Sequence, residues 1–102
     1  MRDLKEDRED MNINSNYRIV KNIEVDVSDI DGEKVIMDLS KGQYFVMNEV
    51  GSRIWDILDE TKTYDGIVGI LLNEYNIKES ICRNTVYSFI NRLNKAELVK
   101  LA

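Results

Sequence analysis

The dipeptide Asp31-Gly32 constrains the fold of this chain more than any other short segment. It separates the apolar-rich runs "YRIVKNIEVDVSDI" and "EKVIMDL", and Asp-Gly between such runs is typical of a two-residue β-hairpin. The preference is steric, because a type I′ turn needs positive φ at both central residues. In the first run, apolar and acidic residues alternate from Ile23 to Val27, which indicates a strand with one face in water.

A second turn and a third strand follow the hairpin. "SKG" supplies the turn, with Gly42 at the conformationally demanding position, and "QYFVMN" continues as a strand. Its four consecutive apolar or aromatic residues, Tyr44 to Met47, break the alternation expected of a half-buried strand. The strand also lacks the lysine or proline that often protects a sheet edge. We therefore expect a three-stranded antiparallel meander whose third strand is an unprotected edge.

The residue pattern alone leaves two interpretations of that edge open. Unpaired N–H and C=O groups on an edge strand accept a peptide that adds as a further strand. Alternatively, the strand is short and twisted away, or the N-terminal segment covers it. The residues agree equally well with both interpretations.

Three helices are predicted after the strands. Asn48 is expected to cap the first and Thr63 the second, because such side chains accept hydrogen bonds from N–H groups of the first turn. The third is expected from about Lys78 to Lys95. Gly66 and Gly69, inside the second helix, are interpreted as sites of close helix packing. Helical spacing predicts that the following residues face the core: Val50, Ile54, Ile57, Leu58, Ile67, Ile70, Leu71, Tyr75, Cys82, Val86, Phe89, Ile90 and Leu93. The predicted fold class is α+β and winged-helix-like, with a three-stranded antiparallel sheet followed by three helices.

One flank of the third helix has a mixed character. At about 100° per residue, Arg83, Tyr87, Ile90 and Asn94 share this flank beside the core stripe. Half of it is apolar and half can form hydrogen bonds, which suits the wall of a groove. The alternative interpretation is an ordinary helix edge whose tyrosine packs on a neighbouring element.

The residue types in the chain argue against catalysis and metal binding. There is no histidine, which removes the commonest general base and the commonest metal ligand. The single cysteine, Cys82, forms no internal disulfide and is predicted to be a buried thiol on the inward face of the third helix. No nucleophile-plus-base arrangement and no Gly-rich phosphate loop is visible. We therefore expect no enzymatic activity, cofactor or metal site.

Charge distinguishes between classes of partner. A net charge of −5 argues against non-specific nucleic-acid binding, which needs clustered Lys and Arg. A winged-helix DNA-binding protein stays open as an alternative, but the exposed part of the third helix offers only Arg83, Arg92 and Lys95, with Glu79 and Glu97 nearby. In addition, the strands precede the helices, whereas a wing usually follows the recognition helix.

The N-terminal segment is interpreted separately from the domain. Residues 1–16 carry mixed charges and little to bury, which predicts a mobile charged tail before a domain at residues 17–102. "MRDLKEDRED" has no signal-peptide apolar region, and no apolar run approaches the roughly 18 residues of a membrane span. The expectation is a cytoplasmic protein with no membrane partner.

From "DLSKGQYFVMN" through "GSRIWDIL", the chain resembles the PqqD-like family of RiPP recognition elements. Members bind the leader peptides of ribosomally made, post-translationally modified peptides. The resemblance covers about Val35 to Leu101, and "LLNEY" and "VYSFINRL" add weaker support. Within the family, the chain is most similar to the stand-alone recognition proteins of lasso peptide pathways. Met47 departs from the pattern, since a leucine usually precedes the asparagine.

The resemblance implies that residues 17–102 form a peptide-recognition domain. It implies that a leader peptide adds as an antiparallel strand to the third strand, in a cleft walled by the third helix. By position, the strand residues are Gln43, Tyr44, Phe45, Val46 and Met47, and the helix residues chosen by periodicity are Arg83, Tyr87, Ile90 and Asn94. The implied partners are the precursor peptide, a cysteine-protease-like leader peptidase and an ATP-dependent cyclase. Alternatives are a peptide chaperone for another RiPP pathway, such as a radical-enzyme system, and dimerisation through the same edge.

Overall fold

A computed structural model describes residues 17–102, so the predicted tail at residues 1–16 lies outside the described residues. The elements in chain order are β1 (Ile19–Lys21), β2 (Val25–Ile30), β3 (Glu33–Asp38), β4 (Gln43–Val46), α1 (Glu49–Ile57), α2 (Tyr64–Glu74), α3 (Glu79–Lys95) and β5 (Val99–Leu101). The three-stranded antiparallel sheet β2-β3-β4 and the three helices that follow it confirm the predicted α+β class.

Strands β2, β3 and β4 form the predicted antiparallel meander. Asp31 and Gly32 have φ values of 54° and 85°, so the hairpin turn has the positive φ at both central residues that a type I′ turn needs. Gly42, in the next turn, has φ of 65°. The sheet order is β2-β3-β4, and β4 pairs with β3 alone, from Val35 opposite Val46 to Asp38 opposite Gln43. Strand β4 is therefore an edge strand within the described part of the chain.

The residues before the hairpin form two strands instead of one. The Asn22 side chain accepts a hydrogen bond from the Glu24 N–H at 2.8 Å and donates to the Glu97 carbonyl oxygen at 3.1 Å. This local turn interrupts the strand, as asparagine side chains often do when they bond nearby backbone. Strand β1 then pairs antiparallel with β5 in a separate two-stranded sheet, which the sequence pattern did not predict.

The helices begin where their capping residues predict. The Asn48 side chain accepts a hydrogen bond from the Gly51 N–H at 2.8 Å, and the Thr63 hydroxyl accepts one from the Gly66 N–H at 3.0 Å. Helix α3 begins after Lys78, which makes no side-chain cap. The inward faces of the sheet and the helices share one core, whose most deeply buried side chains include Ile36, Ile54, Ile57, Leu58, Ile67, Val86 and Leu98.

A polar link between β3 and α1 fixes the start of α1 relative to the sheet. The Lys34 backbone N–H donates to the Ser52 hydroxyl at 2.8 Å, and that hydroxyl donates to the Met47 carbonyl oxygen at 3.2 Å. The Lys34 ammonium pairs with Asp29 at 2.8 Å and with Asp56 at 3.2 Å. The hydrogen bond to Asp29 is the main reason that the pKa of this ammonium is raised. Strand β4 is thus held against α1 at its C-terminal end.

Candidate functional site

The backbone of β4 directs two residues toward the open edge of the sheet. The Met47 N–H donates to the Lys34 carbonyl oxygen at 2.9 Å, so Met47 faces β3. In an antiparallel ladder, residues that face the partner strand alternate with residues that face away from it. Phe45 therefore also faces β3, while the N–H and C=O groups of Tyr44 and Val46 point to the open edge. These are the groups that an added strand would bond.

The side chains of β4 do alternate, despite the unbroken apolar sequence. Tyr44 is 66% exposed and Val46 is 64% exposed, on the solvent face of the sheet. Phe45 is half-buried against the core, and Met47 is only 4% exposed. The strand therefore buries one face, while its other face and its edge are open.

A groove of about 360 Å³ lies between the C-terminal half of β4 and helix α3; we call it the β4–α3 groove. Its α3 wall lies at the helical spacing i, i+3, i+4 and i+7, so that its members share one side of the helix. Most of the lining is apolar. The lining residues are Phe45, Val46, Met47, Asn48, Phe89, Arg92, Leu93, Ala96 and Leu98.

A second depression, of about 390 Å³, adjoins the first; we call it the α1–α3 recess. It shares Asn48, Phe89 and Arg92 with the β4–α3 groove, so the two form one continuous surface. Its other lining residues are more polar and come from the start of α1 and the middle of α3: Val50, Gly51, Ile54, Asn84, Thr85 and Ser88. A peptide that leaves the end of β4 would pass into this recess.

Phe89 stands at the junction of the two depressions. A Cβ atom placed on Gly51 would lie 2.9 Å from Cε1 of Phe89, so the glycine lets the ring lie directly against α1. The Arg92 guanidinium lies over the Phe89 ring, 5.7 Å from its centre. The position of this ring therefore sets the shape of both depressions.

The helix residues predicted as the groove wall lie on another side of α3. The Arg83 guanidinium pairs with Asp65 at 2.8 Å and with Glu79 at 2.9 Å. The Tyr87 ring contacts the Tyr64 ring edge-to-face, with centroids 6.4 Å apart. Both residues thus face α2, away from β4.

The other two predicted helix residues also lie away from β4. Ile90 is only 3% exposed and packs near Ile19 and Tyr64. Asn94 lines a separate depression of about 640 Å³ beside β1 and β5. None of the four predicted helix residues lines the β4–α3 groove, whereas all the β4 residues except Gln43 and Tyr44 line it. The structure therefore places the four predicted helix residues away from the β4–α3 groove.

The structure places Phe89, Arg92, Leu93 and Ala96 beside β4 instead. Phe89 and Leu93 had been predicted to face the core, and their spacing with Arg92 and Ala96 was available from the sequence. Helical periodicity gives the angles between residues of one helix, but it does not say which side of the core stripe faces a particular strand.

Reactive groups are scarce around these depressions. Cys82 is 2% exposed, as predicted, and burial raises the pKa of its thiol, which keeps it protonated. Among residues 17–102, no group of three His, Cys, Asp or Glu residues is placed to hold a metal ion. No helix in the same part of the chain has the length and apolar character to cross a membrane.

The fold and the groove together define a small α+β domain whose open sheet edge runs beside a helix. A protein-family model described as "Coenzyme PQQ synthesis protein D (PqqD)" matches residues 33–99, which is more than half of the chain. This chain belongs to the PqqD family. The membership expected from "YFVMN" and "GSRIWDIL" is thus confirmed.

Two solved structures resemble the chain. The structure described as "TbiB1 in Complex with the TbiA(beta) Leader Peptide" has 32% sequence identity and a TM-score of 0.74, covering 78% of this chain and 93% of that one. The structure described as "Lasso peptide synthetase B1 complexed with the leader peptide" has 18% identity and a TM-score of 0.67, covering 80% and 96%. The second likeness is one of fold alone. A comparison with curated proteins gave no match.

Proposed function

We propose that this chain is a non-catalytic RiPP recognition element that binds the leader segment of a lasso-type precursor peptide by strand addition at β4. The observation that carries the proposal is the open edge at Tyr44 and Val46 beside the apolar β4–α3 groove. The relative TbiB1, at 32% identity, is described in complex with a leader peptide. Family membership and the geometry of the edge support the same function.

In the proposed complex, the leader runs antiparallel to β4 and bonds the backbones of Tyr44 and Val46. Alternate side chains of the leader then enter the groove against Phe89 and Leu93, and the others lie on the solvent face. A buried apolar side chain contributes about 1.5–3 kcal/mol, whereas a backbone hydrogen bond contributes about 0.5–1.5 kcal/mol. The groove is therefore expected to decide which sequences bind, while the edge supplies affinity for any extended peptide.

The proposed role in the pathway is delivery. By holding the leader, the chain would raise the local concentration of the precursor at a cysteine-protease-like leader peptidase and at an ATP-dependent cyclase. The likeness to lasso peptide recognition proteins supports these partners. A gene neighbourhood with a radical enzyme in place of a peptidase and a cyclase would favour another RiPP pathway.

Paired proline substitutions at the two edges of the sheet test the proposal. Val46→Pro removes an N–H that points to the open edge of β4, so the β3–β4 ladder keeps its bonds. Val27→Pro is the matched control on β2. Ile30 and Glu33 flank the two-residue turn and form a hydrogen-bonded pair, so Ile30 faces β3. Residues that face the partner strand alternate with residues that face away, so the N–H of Val27, three residues before Ile30, points away from β3.

The probes are labelled synthetic peptides that tile the small open reading frames beside the gene, measured by fluorescence anisotropy. We expect one tile to bind the unmodified protein and the Val27→Pro variant alike, and to bind Val46→Pro about tenfold or more weakly. Equal affinity for Val46→Pro, with an unchanged circular dichroism spectrum, would refute strand addition at β4. A concentration-dependent dimer that Val46→Pro abolishes, with no tile bound, would instead assign the edge to self-association.

A further inference from the structure

The combined surface of the β4–α3 groove and the α1–α3 recess carries one charged side chain. Of the residues that line the β4–α3 groove and the α1–α3 recess, Arg92 alone is charged, and it belongs to both depressions. The rest of the lining is apolar, amide or hydroxyl. A single guanidinium at the junction, in a chain of net charge −5, gives this surface a local preference for a negative group.

Arg92 differs from the arginines whose ion pairs stabilise the fold. Arg53 bridges Glu60 and Glu74, and Arg83 bridges Asp65 and Glu79. No ion pair within residues 17–102 joins Arg92, whose contact is with the face of the Phe89 ring. Contact with a ring face does not pair the guanidinium N–H groups with a carboxylate, so these donors of Arg92 stay available for an acceptor that the fold itself does not supply.

We propose that Arg92 is a specificity-determining residue that pairs with an Asp or Glu side chain of the bound peptide. The inference rests on the proposed function, because it takes strand addition at β4 as given. A guanidinium favours a carboxylate because two of its N–H groups match the two oxygens. Arg92 is exposed, so such a pair is expected to contribute modestly, on the scale of a surface ion pair.

The direction of the peptide fixes where its acidic residue stands. Strand β4 runs from Gln43 toward Asn48, and Arg92 lies where the groove meets the α1–α3 recess, which Asn48 also lines. A guest antiparallel to β4 therefore brings its N-terminal part to Arg92 and its C-terminal part toward Gln43. We expect the acidic residue at the start of the paired segment, before the apolar residues that enter the groove. A terminal carboxylate does not fit this position, because it stands at the other end of such a peptide.

Selection from a displayed library of random peptides tests the assignment. The baits are the unmodified protein, Arg92→Gln, Arg92→Glu and, as a control on the same helix, Lys95→Gln. Lys95→Gln removes the same unit of charge as Arg92→Gln, but Lys95 lines neither depression. Arg92 is exposed, and no ion pair of the described residues depends on it, so circular dichroism should show all the baits folded.

We expect peptides selected by the unmodified protein and by Lys95→Gln to carry Asp or Glu at one fixed place before the apolar alternation. Arg92→Glu should select Lys or Arg at that place, and Arg92→Gln should select no charge there. For one selected peptide, replacing its acid by the matching amide should weaken binding to the unmodified protein about fivefold and leave binding to Arg92→Gln unchanged.

The two proposals fail in different ways. If the selected peptides lose affinity for Val46→Pro, they need the open edge of β4. If those peptides then show no fixed acidic position, the role of Arg92 is overturned and leader binding stays intact. A library in which no peptide is enriched, or in which enriched peptides bind Val46→Pro as well as the unmodified protein, would overturn both.

Discussion

Gly51→Ala separates the shape of the groove from the stability of the fold. An added Cβ atom would lie 2.9 Å from Cε1 and 3.0 Å from Cζ of Phe89. Carbon atoms in contact normally stand about 3.5 Å apart or more, so the edge of the ring has to move by about 0.6 Å. These atoms are the far end of a half-buried side chain, and the ring can move only away from α1, toward the groove.

The substitution has two opposing effects on the free energy of unfolding. Alanine is favoured over glycine in a helix by about 1 kcal/mol, which offsets part of the cost of moving the ring. We expect the free energy of unfolding to change by less than about 1 kcal/mol, while peptide affinity falls about tenfold because Phe89 enters the space of the guest side chains. Gly69→Ala in α2 is the matched control, since no atom lies within 4 Å of its added Cβ.

The assays are urea unfolding, followed by the fluorescence of the buried Trp55, and anisotropy with a bound peptide. Gly69→Ala should raise the free energy of unfolding by about 0.5–1 kcal/mol and leave affinity unchanged. If Gly51→Ala binds peptide as tightly as the unmodified protein does, Phe89 is not a wall of the binding site. A loss of more than about 2 kcal/mol in the free energy of unfolding would show that the ring cannot move into the groove, which contradicts the expected change of less than about 1 kcal/mol.

Two further predictions concern stability. Burial raises the pKa of the Cys82 thiol and of the Tyr64 hydroxyl, and the hydrogen bond to Asp29 raises the pKa of the Lys34 ammonium, so the folded state holds these protons longer than the unfolded state does. The free energy of unfolding measured in urea should therefore fall as the pH rises above about 8.5, and a flat or rising profile up to pH 10 would contradict this. Asn48→Ala removes the bond from the Gly51 N–H and should lower the free energy of unfolding by about 1 kcal/mol; an unchanged urea midpoint would show that the cap contributes nothing.

Local signals in the sequence were sufficient for much of the fold. The turn at Asp31-Gly32 and the caps at Asn48 and Thr63 depend on neighbouring residues, and all three are where they were predicted. Pairing of β1 with β5 depends on residues far apart in the chain, and no local pattern encodes it. The turn at Asn22 had no strong signal either, because the alternation of apolar and acidic residues that indicates a strand begins at the next residue, Ile23.

The site was predictable in part for a related reason. Strand β4 was identified by its own sequence, whereas the helix wall depends on how α3 is rotated about its axis against the sheet. The same limit applies to the glycines of α2. Gly66 packs closely against Thr61, in the segment before its own helix and not against another helix, and open space surrounds Gly69, so the predicted close packing of helices was wrong for both glycines. The spacing of residues along a helix does not predict which other element packs against a given residue.

Hydrogen exchange at the backbone of β4, followed by NMR, tests strand addition most directly. The Tyr44 and Val46 N–H groups point to the open edge, whereas those of Phe45 and Met47 face β3. With a binding peptide present at one hundred times its Kd, we predict that exchange at Tyr44 and Val46 slows by up to about a hundredfold, with little change at Val27 on the opposite edge. Unchanged exchange at Tyr44 and Val46 while the peptide is bound would contradict the account.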